Sequence, residues 1–389
     1  MTRFVFWVSA GLVAYTYVGF PILLMIRAAL SRRLVLRGAT SATVSMIVAA
    51  HNEEDWIAAK LNNALSLSRP PDEVVVGSDG STDRTHEIVT AHPDPRIRLV
   101  PCPRQGKPAT LNAAVAASSG DILVFTDANS LFDADALERL LEPFVDARVG
   151  GVAGDQRYDG SGESNAGERA YWSYDRLLKR AESLAGSTVS ATGAIYAIRR
   201  PLFRNIPDGV MDDFVISARV VEQGHRLVFE ERAISREPVA ATLRREFDRK
   251  VRIIMGGLYG VWVVRGLLNP FRHGFYAIQL FSRKVLRRLV IGPLIALSAS
   301  SLVLRKHGSV YRWSFAIQAI GCGLGIVGLA ADRLGIRVPR VVALPAYFVA
   351  VNWAALVALG RLLTGNRVRR WDTRRPGGRS VAGEEASDA

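Results

Sequence analysis

A chain of 389 residues, 49% of them hydrophobic and with a net charge of +14, is long enough for one large domain plus accessory elements. The charge invites a nucleic-acid reading, and its placement excludes one: residues 44–240 hold 21 Lys+Arg against 29 Asp+Glu, so the folded part is acidic and the excess positive charge lies outside it. Two cysteines, Cys102 and Cys322, give no disulfide framework.

Phe4 to Ile26 is almost uninterrupted apolar sequence with one proline and no charge, and about 20 such residues cross a bilayer. The stretch is too long for a signal-peptide core and no small-x-small cleavage site follows closely, so an uncleaved anchor is expected over residues 1–30. Arg27, Arg32, Arg33 and Arg37 come next. By the positive-inside rule they leave the amino terminus outside and the following domain, residues 38–246, in the cytoplasm.

From Val44 apolar runs alternate with helical patterns, which predicts an α/β fold with a mainly parallel sheet. Val44 to Ala50 ends in His51-Asn52-Glu53-Glu54, Glu73 to Gly77 ends in Ser78-Asp79-Gly80-Ser81-Thr82-Asp83, and Asp121 to Thr126 ends in Asp127-Ala128-Asn129. Each strand thus carries acidic or amide side chains to its carboxyl end, the edge where open parallel sheets bind ligands. Clustered carboxylates there suit a divalent cation and a phosphorylated ligand, as in a nucleotide-sugar site. Helices are expected over Asp55 to Leu67, Asp133 to Val145 and Tyr171 to Leu184. The stretch Gly150 to Gly167, rich in Gly, Ser and charge, reads as an exposed loop.

Further along come Gly106-Lys107 before an apolar helix, Thr192-Gly193-Ala194 before an apolar strand, Asp212-Asp213 at a helix entrance, and Arg249 and Arg252 in Phe247 to Gly256. In this order, from about Val44 to Gly256, the motifs resemble the membrane-bound family 2 inverting glycosyltransferases of the A-type, Rossmann-like fold. That group includes cellulose synthase, hyaluronan synthase and poly-N-acetylglucosamine synthases. The resemblance implies a nucleotide-sugar donor contacted by Glu53, Asp79, Lys107, Asp127 and Arg252. It implies Mg²⁺ or Mn²⁺ at Asp127 and Asn129, an acceptor lined by Thr192, Gly193, Asp212 and Arg249, and Asp213 as catalytic base. Three positions depart from the family pattern: Ser78 for the first aspartate of DDGS, Asn129 for the second of DxD, and Ile253 for the tryptophan of QxxRW. For several of these residues a local role competes, as N-caps at Asn52 to Glu54 and at Asp212 or Asp213 and as turn chemistry at Asp79.

Residues 247–288 interleave Leu258, Trp262, Leu267, Phe271, Phe275, Ile278 and Phe281 with Arg265, Arg272, His273, Arg283 and Lys284. They read as interfacial helices on the cytoplasmic leaflet, with amphipathic helices packed on the domain as the alternative. Leu289 to Leu304, Trp313 to Ala331 and Val341 to Leu359 are further candidate spans within residues 289–363. Residues 364–389 form a basic tail expected to be disordered. Its arginines favour the cytoplasm, whereas one amino-terminal and three later spans would place it outside. The expected protein is a multi-pass enzyme of the inner membrane, in contact with lipids. It moves sugar from a nucleoside diphosphate to a glycan or lipid-linked acceptor, with a partner subunit or a second copy completing any export path. A polyprenyl-phosphate sugar synthase and a catalytically silent nucleotide-binding scaffold are the competing readings.

Overall fold

The computed structural model describes residues 1–159, 166–238, 243–334, 336 and 338–364. The basic tail expected beyond Leu363 lies almost wholly outside them. The strands are β1 (Val44–Ala50), β2 (Glu73–Asp79), β3 (Ile97–Cys102), β4 (Ile122–Asp127), β5 (Leu131–Phe132), β6 (Val149–Asp159), β7 (Tyr196–Arg199) and β8 (Arg226–Pro238). They form one eight-stranded sheet in the order β3-β2-β1-β4-β7-β6-β8-β5. The half made of β3, β2, β1 and β4 is parallel throughout. Beyond it β7 runs antiparallel to both β4 and β6, while β6 and β8 are parallel.

Every residue of β1 is buried, which accounts for its lack of polar alternation: both faces of a central parallel strand are covered. One face, with Met46 and Val48, packs on Ile57 and Leu61 of the helix Glu54–Leu65 and on Leu137 and Leu140 of the helix Ala136–Leu141. The other, with Ile47 and Ala49, packs on Leu111 and Ala114 of Lys107–Ala116 and on Phe214 and Val215 of Asp212–Glu222. From β1 the chain moves outward to β2 and β3, then returns to β4 on the opposite side of β1. The crevice opened by that reversal, at the carboxyl ends of β1 and β4, is where such sheets take ligands.

The expected loop over Gly150 to Gly167 is corrected in its first part. Residues through Asp159 belong to β6, buried as far as Asp155 between β7 and β8. Its glycines mark close packing and not a turn: a Cβ at Gly150 would lie 2.5 Å from Leu202 Cδ1, and one at Gly154 would lie 2.7 Å from the Ala233 carbonyl oxygen. The expected helix Asp133 to Val145 is shorter, an α-helix from Ala136 to Leu141 followed by a 3₁₀ turn to Val145.

Among the described residues three helices are long and apolar enough to cross a membrane: Thr2–Leu30, Ser309–Asp332 and Arg340–Leu363. The segments Phe275–Leu289 and Ile291–Leu304 would form a fourth span bent by 53°. Thr2–Leu30 meets different partners along its length. Phe6 packs with Leu297 and Leu304, whereas Phe20, Leu24 and Ala28 pack on Leu178, Ala181 and Ala185 of the helix Ala166–Ala185. In the segment expected at the interface, Trp262 and Phe271 are exposed, while Leu267, Tyr276 and Leu280 are buried in the domain core. The helix Leu243–Val263 also holds Ala354, Ala355 and Ala358 of Arg340–Leu363 through Val251, Ile254 and Met255.

Candidate active site

The loops after β1 and β2 are clipped together. Asn52 takes a left-handed backbone (φ 52°), its Oδ1 accepts from Thr82 N at 2.8 Å, and its own N–H donates to Ser81 Oγ at 3.1 Å. His51 Nδ1 lies 2.7 Å from the Asp79 carbonyl oxygen. In the stretch Asn52 to Glu54 it is Glu53 that occupies the N-cap position of the helix Glu54–Leu65, without a side-chain capping bond.

Asp79 is fully buried, and its carboxylate is engaged inside the protein. Oδ1 accepts from Gln105 N and Gly106 N, each at 2.8 Å, and Oδ2 is ion-paired with Arg104. The aspartate thus fixes the turn that leads to Lys107. Ser78, at the position of the family's first aspartate, bonds to Ser81 Oγ and to His86 Nε2, both at 2.7 Å. Glu53 is likewise buried.

Lys107 stands at the start of its helix, after Gly106 at φ 100°. Its Nζ bridges two carboxylates from distant parts of the chain: Asp127 Oδ1 at 2.7 Å, from the end of β4, and Asp212 Oδ2 at 3.2 Å, from the first turn of Asp212–Glu222. Gly193 closes the same cluster, since a Cβ there would lie 3.3 Å from Asp127 Oδ2 and 3.6 Å from Lys107 Nζ. The two carboxylates hold Lys107 well above the ordinary lysine range despite its burial. Asp213 follows directly. Burial, and then the neighbouring Asp212, push its carboxyl up to about 6, against Lys284 and Lys107, which draw it down. Neither aspartate is the N-cap, a place taken by Met211.

Lys107, Asp127, Gly193 and Asp212, four of the expected residues, therefore meet at the carboxyl end of β4, with Asp213 next in the chain. Arg249 and Arg252 lie half-buried on Leu243–Val263, the helix whose Gly256 carbonyl accepts from Met211 N at 3.4 Å. Arg249 Nη1 donates to Tyr158 Oη at 3.3 Å. Thr192 Oγ1 is shielded from solvent and has no hydrogen-bond partner among the described residues. Asn129, two residues after Asp127, is 5% exposed. Among the described residues no group of three or more His, Cys, Asp or Glu is gathered as a ready metal cage.

Two residues join the site without a signal in the motifs. Tyr196, stacked on Phe125 at 4.9 Å, has a buried hydroxyl without a hydrogen-bond partner among the described residues. Burial, Asp212, Asp213 and Asp127 together raise that phenol. Lys60 is fully buried behind Asp127. It occupies an inward position between Ile57, Leu61 and Ala64, so a lysine in an apolar helix pattern was the available signal.

A separate depression of about 450 Å³ is lined by Asp135, Arg139, Arg157, Arg176, Glu231 and Arg232. Each of its four arginines is in an ion pair with a carboxylate, and none of the clustered residues lines it.

Comparison with known proteins agrees with this geometry. The model of glycosyl transferase family 2 matches residues 45–206, the stretch that holds Lys107, Asp127 and Gly193. Poly-beta-1,6-N-acetyl-D-glucosamine synthase of Staphylococcus aureus is 26% identical over 224 residues, covering 55% of this chain and 54% of the relative. The Staphylococcus epidermidis enzyme of the same name is 25% identical over 225 residues. The chain spans about half the length of the curated relatives it matches. Among solved structures, a mannosyltransferase from Pyrobaculum calidifontis, in complex with GDP-Man and Mn²⁺, shares the fold with a TM-score of 0.70 at 22% identity, covering 93% of this chain and all of that one. Residues 45–206 thus match the model of glycosyl transferase family 2, and the chain shares the A-type fold of the Pyrobaculum mannosyltransferase.

Proposed function

We propose that the protein is a membrane-integrated inverting glycosyltransferase. It moves one sugar at a time from a nucleoside diphosphate to a hydroxyl of a glycan or lipid-linked acceptor in cell-surface polysaccharide or glycolipid synthesis. The observation that carries this reading is the Lys107 bridge between Asp127 and Asp212, with Asp213 beside it at the sheet's switch point. Asp213, with its carboxyl raised into the range of a general base, takes the proton of the acceptor hydroxyl. The acceptor oxygen then bonds to the anomeric carbon from the face opposite the diphosphate, and the carbon–oxygen bond to the diphosphate breaks. Lys107 and Arg252 meet the negative charge that develops on the leaving group. Asp127, with the diphosphate oxygens supplying further ligands and Asn129 a neutral one, would hold a Mg²⁺ or Mn²⁺ ion. When bound, that ion neutralises diphosphate charge. The Mn²⁺ and GDP-Man held by the Pyrobaculum structure support this part by analogy of fold.

The apolar helices and their basic flanks support a place in the cell membrane, inner where there are two, with the catalytic domain in the cytoplasm. The exposed Trp262 and Phe271 support a contact with lipid. Glu53 and Asp79 act on the donor by shaping the loops around it, and Thr192, Gly193, Asp212 and Arg249 line the acceptor side. A phosphate acceptor needs little base catalysis, so a base poised at Asp213 favours a hydroxyl acceptor. A panel of nucleotide sugars offered to membranes containing the protein, with product mass as the readout, tests the proposal. Sugar added from one donor class supports it. No transfer from any donor overturns it.

A further inference from the structure

Lys60 is the one lysine that is fully buried among the described residues, and the mechanism above makes no use of it. A lysine on the inward face of a helix is costly unless its charge and its hydrogen bonds are met. Here they are met at both ends of the turn that carries the proposed donor ligands. Nζ donates to Thr126 Oγ1 at 2.9 Å, just before Asp127, and to the Ser130 carbonyl oxygen, just after Asn129. The ammonium also lies 4.0 Å from the centroid of the Phe132 ring. Thr126 Oγ1 in turn donates to the Ala194 carbonyl at 2.9 Å, next to Gly193. Behind the turn Ser130 Oγ donates to Glu237 Oε1, and Gln156 Nε2 donates to Glu237 Oε2 at 2.7 Å. Gln156 Nε2 also reaches Tyr158 Oη at 3.1 Å, the hydroxyl to which Arg249 donates. A continuous polar chain therefore runs from Lys60, through the turn, to the helix Leu243–Val263.

We propose that Lys60, with Glu237 as its buried counter-charge, is a positioning residue for the donor site: it fixes the turn Asp127–Asn129 in the shape that receives the diphosphate. The inference rests on the reading of that turn as the donor site. Three features support it beyond packing. Both ends of one turn, and little else, are gripped by the same ammonium. The position behind Asp127 adds a hydrogen-bond donor, its charged form favoured by two carboxylates, without obstructing the crevice. Burial draws the Lys60 ammonium down to about 7, while Asp127 and Glu237 favour its charged form.

The test uses the full chain in lipid nanodiscs, with calorimetric titration of UDP, GDP, CDP, ADP and TDP, each with Mn²⁺. Lys60→Met should weaken binding of whichever diphosphate the wild type takes by roughly tenfold or more, the scale of loss for a residue that orients ligands from behind. A folded Lys60→Met protein with wild-type affinity overturns the proposal and leaves Lys60 a core residue. Should Lys60→Met not fold, Glu237→Gln carries the test, because it keeps shape and removes the counter-charge: weaker binding supports the proposal and unchanged binding overturns it. Asp127→Asn separates the two layers. If it binds like the wild type, or if the wild type binds no diphosphate, the donor-site reading itself fails. If Asp127→Asn loses binding while Lys60→Met and Glu237→Gln keep it, only the inference fails.

Discussion

Asp213 owes its proposed role to where the chain puts it: partly buried, next to another acid, and within the field of two lysines. With its carboxyl at about 6, the basic form dominates above that pH and is lost below it. Transfer by the wild type should therefore rise through pH 6 and level off, and a rate independent of pH from 5 to 8 would reject Asp213 as the base. The neutral Asn129 sets a second expectation. Asn129→Asp adds a carboxylate to the turn and should lower the Mn²⁺ concentration needed for half-maximal transfer. An unchanged or higher requirement would remove Asn129 from the ligand set. At this scale the structure brings together Lys107, Asp127, Gly193 and Asp212, which the motifs singled out, with Asp213 next in the chain. The motifs read less well for Asp79, whose position in a turn gives no sign that Arg104, Gln105 and Gly106 already claim its carboxylate. Lys60 shows the limit most clearly, since nothing local says that a lysine will be met by groups 66 and 70 residues away.

Among the elements, β1, β2 and β4 were legible because strands buried on both faces must be apolar throughout. β6 was not, because Gly150, Gly151 and Gly154 look like turn residues until Leu202, Leu227 and Ala233 are seen pressing on them. In the second half of β8 the usual alternation is inverted: Ser235 and Glu237 are buried and Ile234 and Arg236 more exposed, and Glu237 joins the polar chain around Lys60. Glycine also governs how Leu243–Val263 meets the helix Asp212–Glu222. A Cβ at Gly260 would lie 2.8 Å from Phe214 Cδ1, the residue after Asp213. Gly260→Ala should thus destabilise the protein by about 1–3 kcal/mol, the usual cost of overpacking, and lower transfer. Gly360→Ala, with nothing within 4 Å, should be neutral or slightly stabilising. Thermal melting of the two variants in one detergent checks this, and equal melting points would contradict the close packing.

For the molecule as a whole, the contact of Phe6 with Tyr311, ring centroids 4.8 Å apart, brings the connection after Ile291–Leu304 to the amino-terminal end of Thr2–Leu30. A cysteine placed at His307, in a chain freed of Cys102 and Cys322, should therefore react with a membrane-impermeant maleimide from the same side as residue 1. Labelling from the opposite side would mean that the bent pair does not cross beside the first helix. Ile253, in place of an aromatic platform, and this small set of spans lead to a further expectation: the purified monomer adds one or a few sugars and does not secrete a long polymer. High-mass product accumulating inside vesicles that contain only the monomer would contradict it. The central claim is transfer from a nucleotide sugar by a base at Asp213, and one measurement reaches it most directly. Purified protein in nanodiscs, given Mn²⁺, acceptor lipid extract and each radiolabelled nucleotide sugar in turn, is assayed for sugar transferred and nucleoside diphosphate released. The account predicts equal release and transfer from one donor class, with Asp213→Asn slower by ~10²-fold or more while still binding the donor. Wild-type transfer rates in folded Asp213→Asn would contradict it.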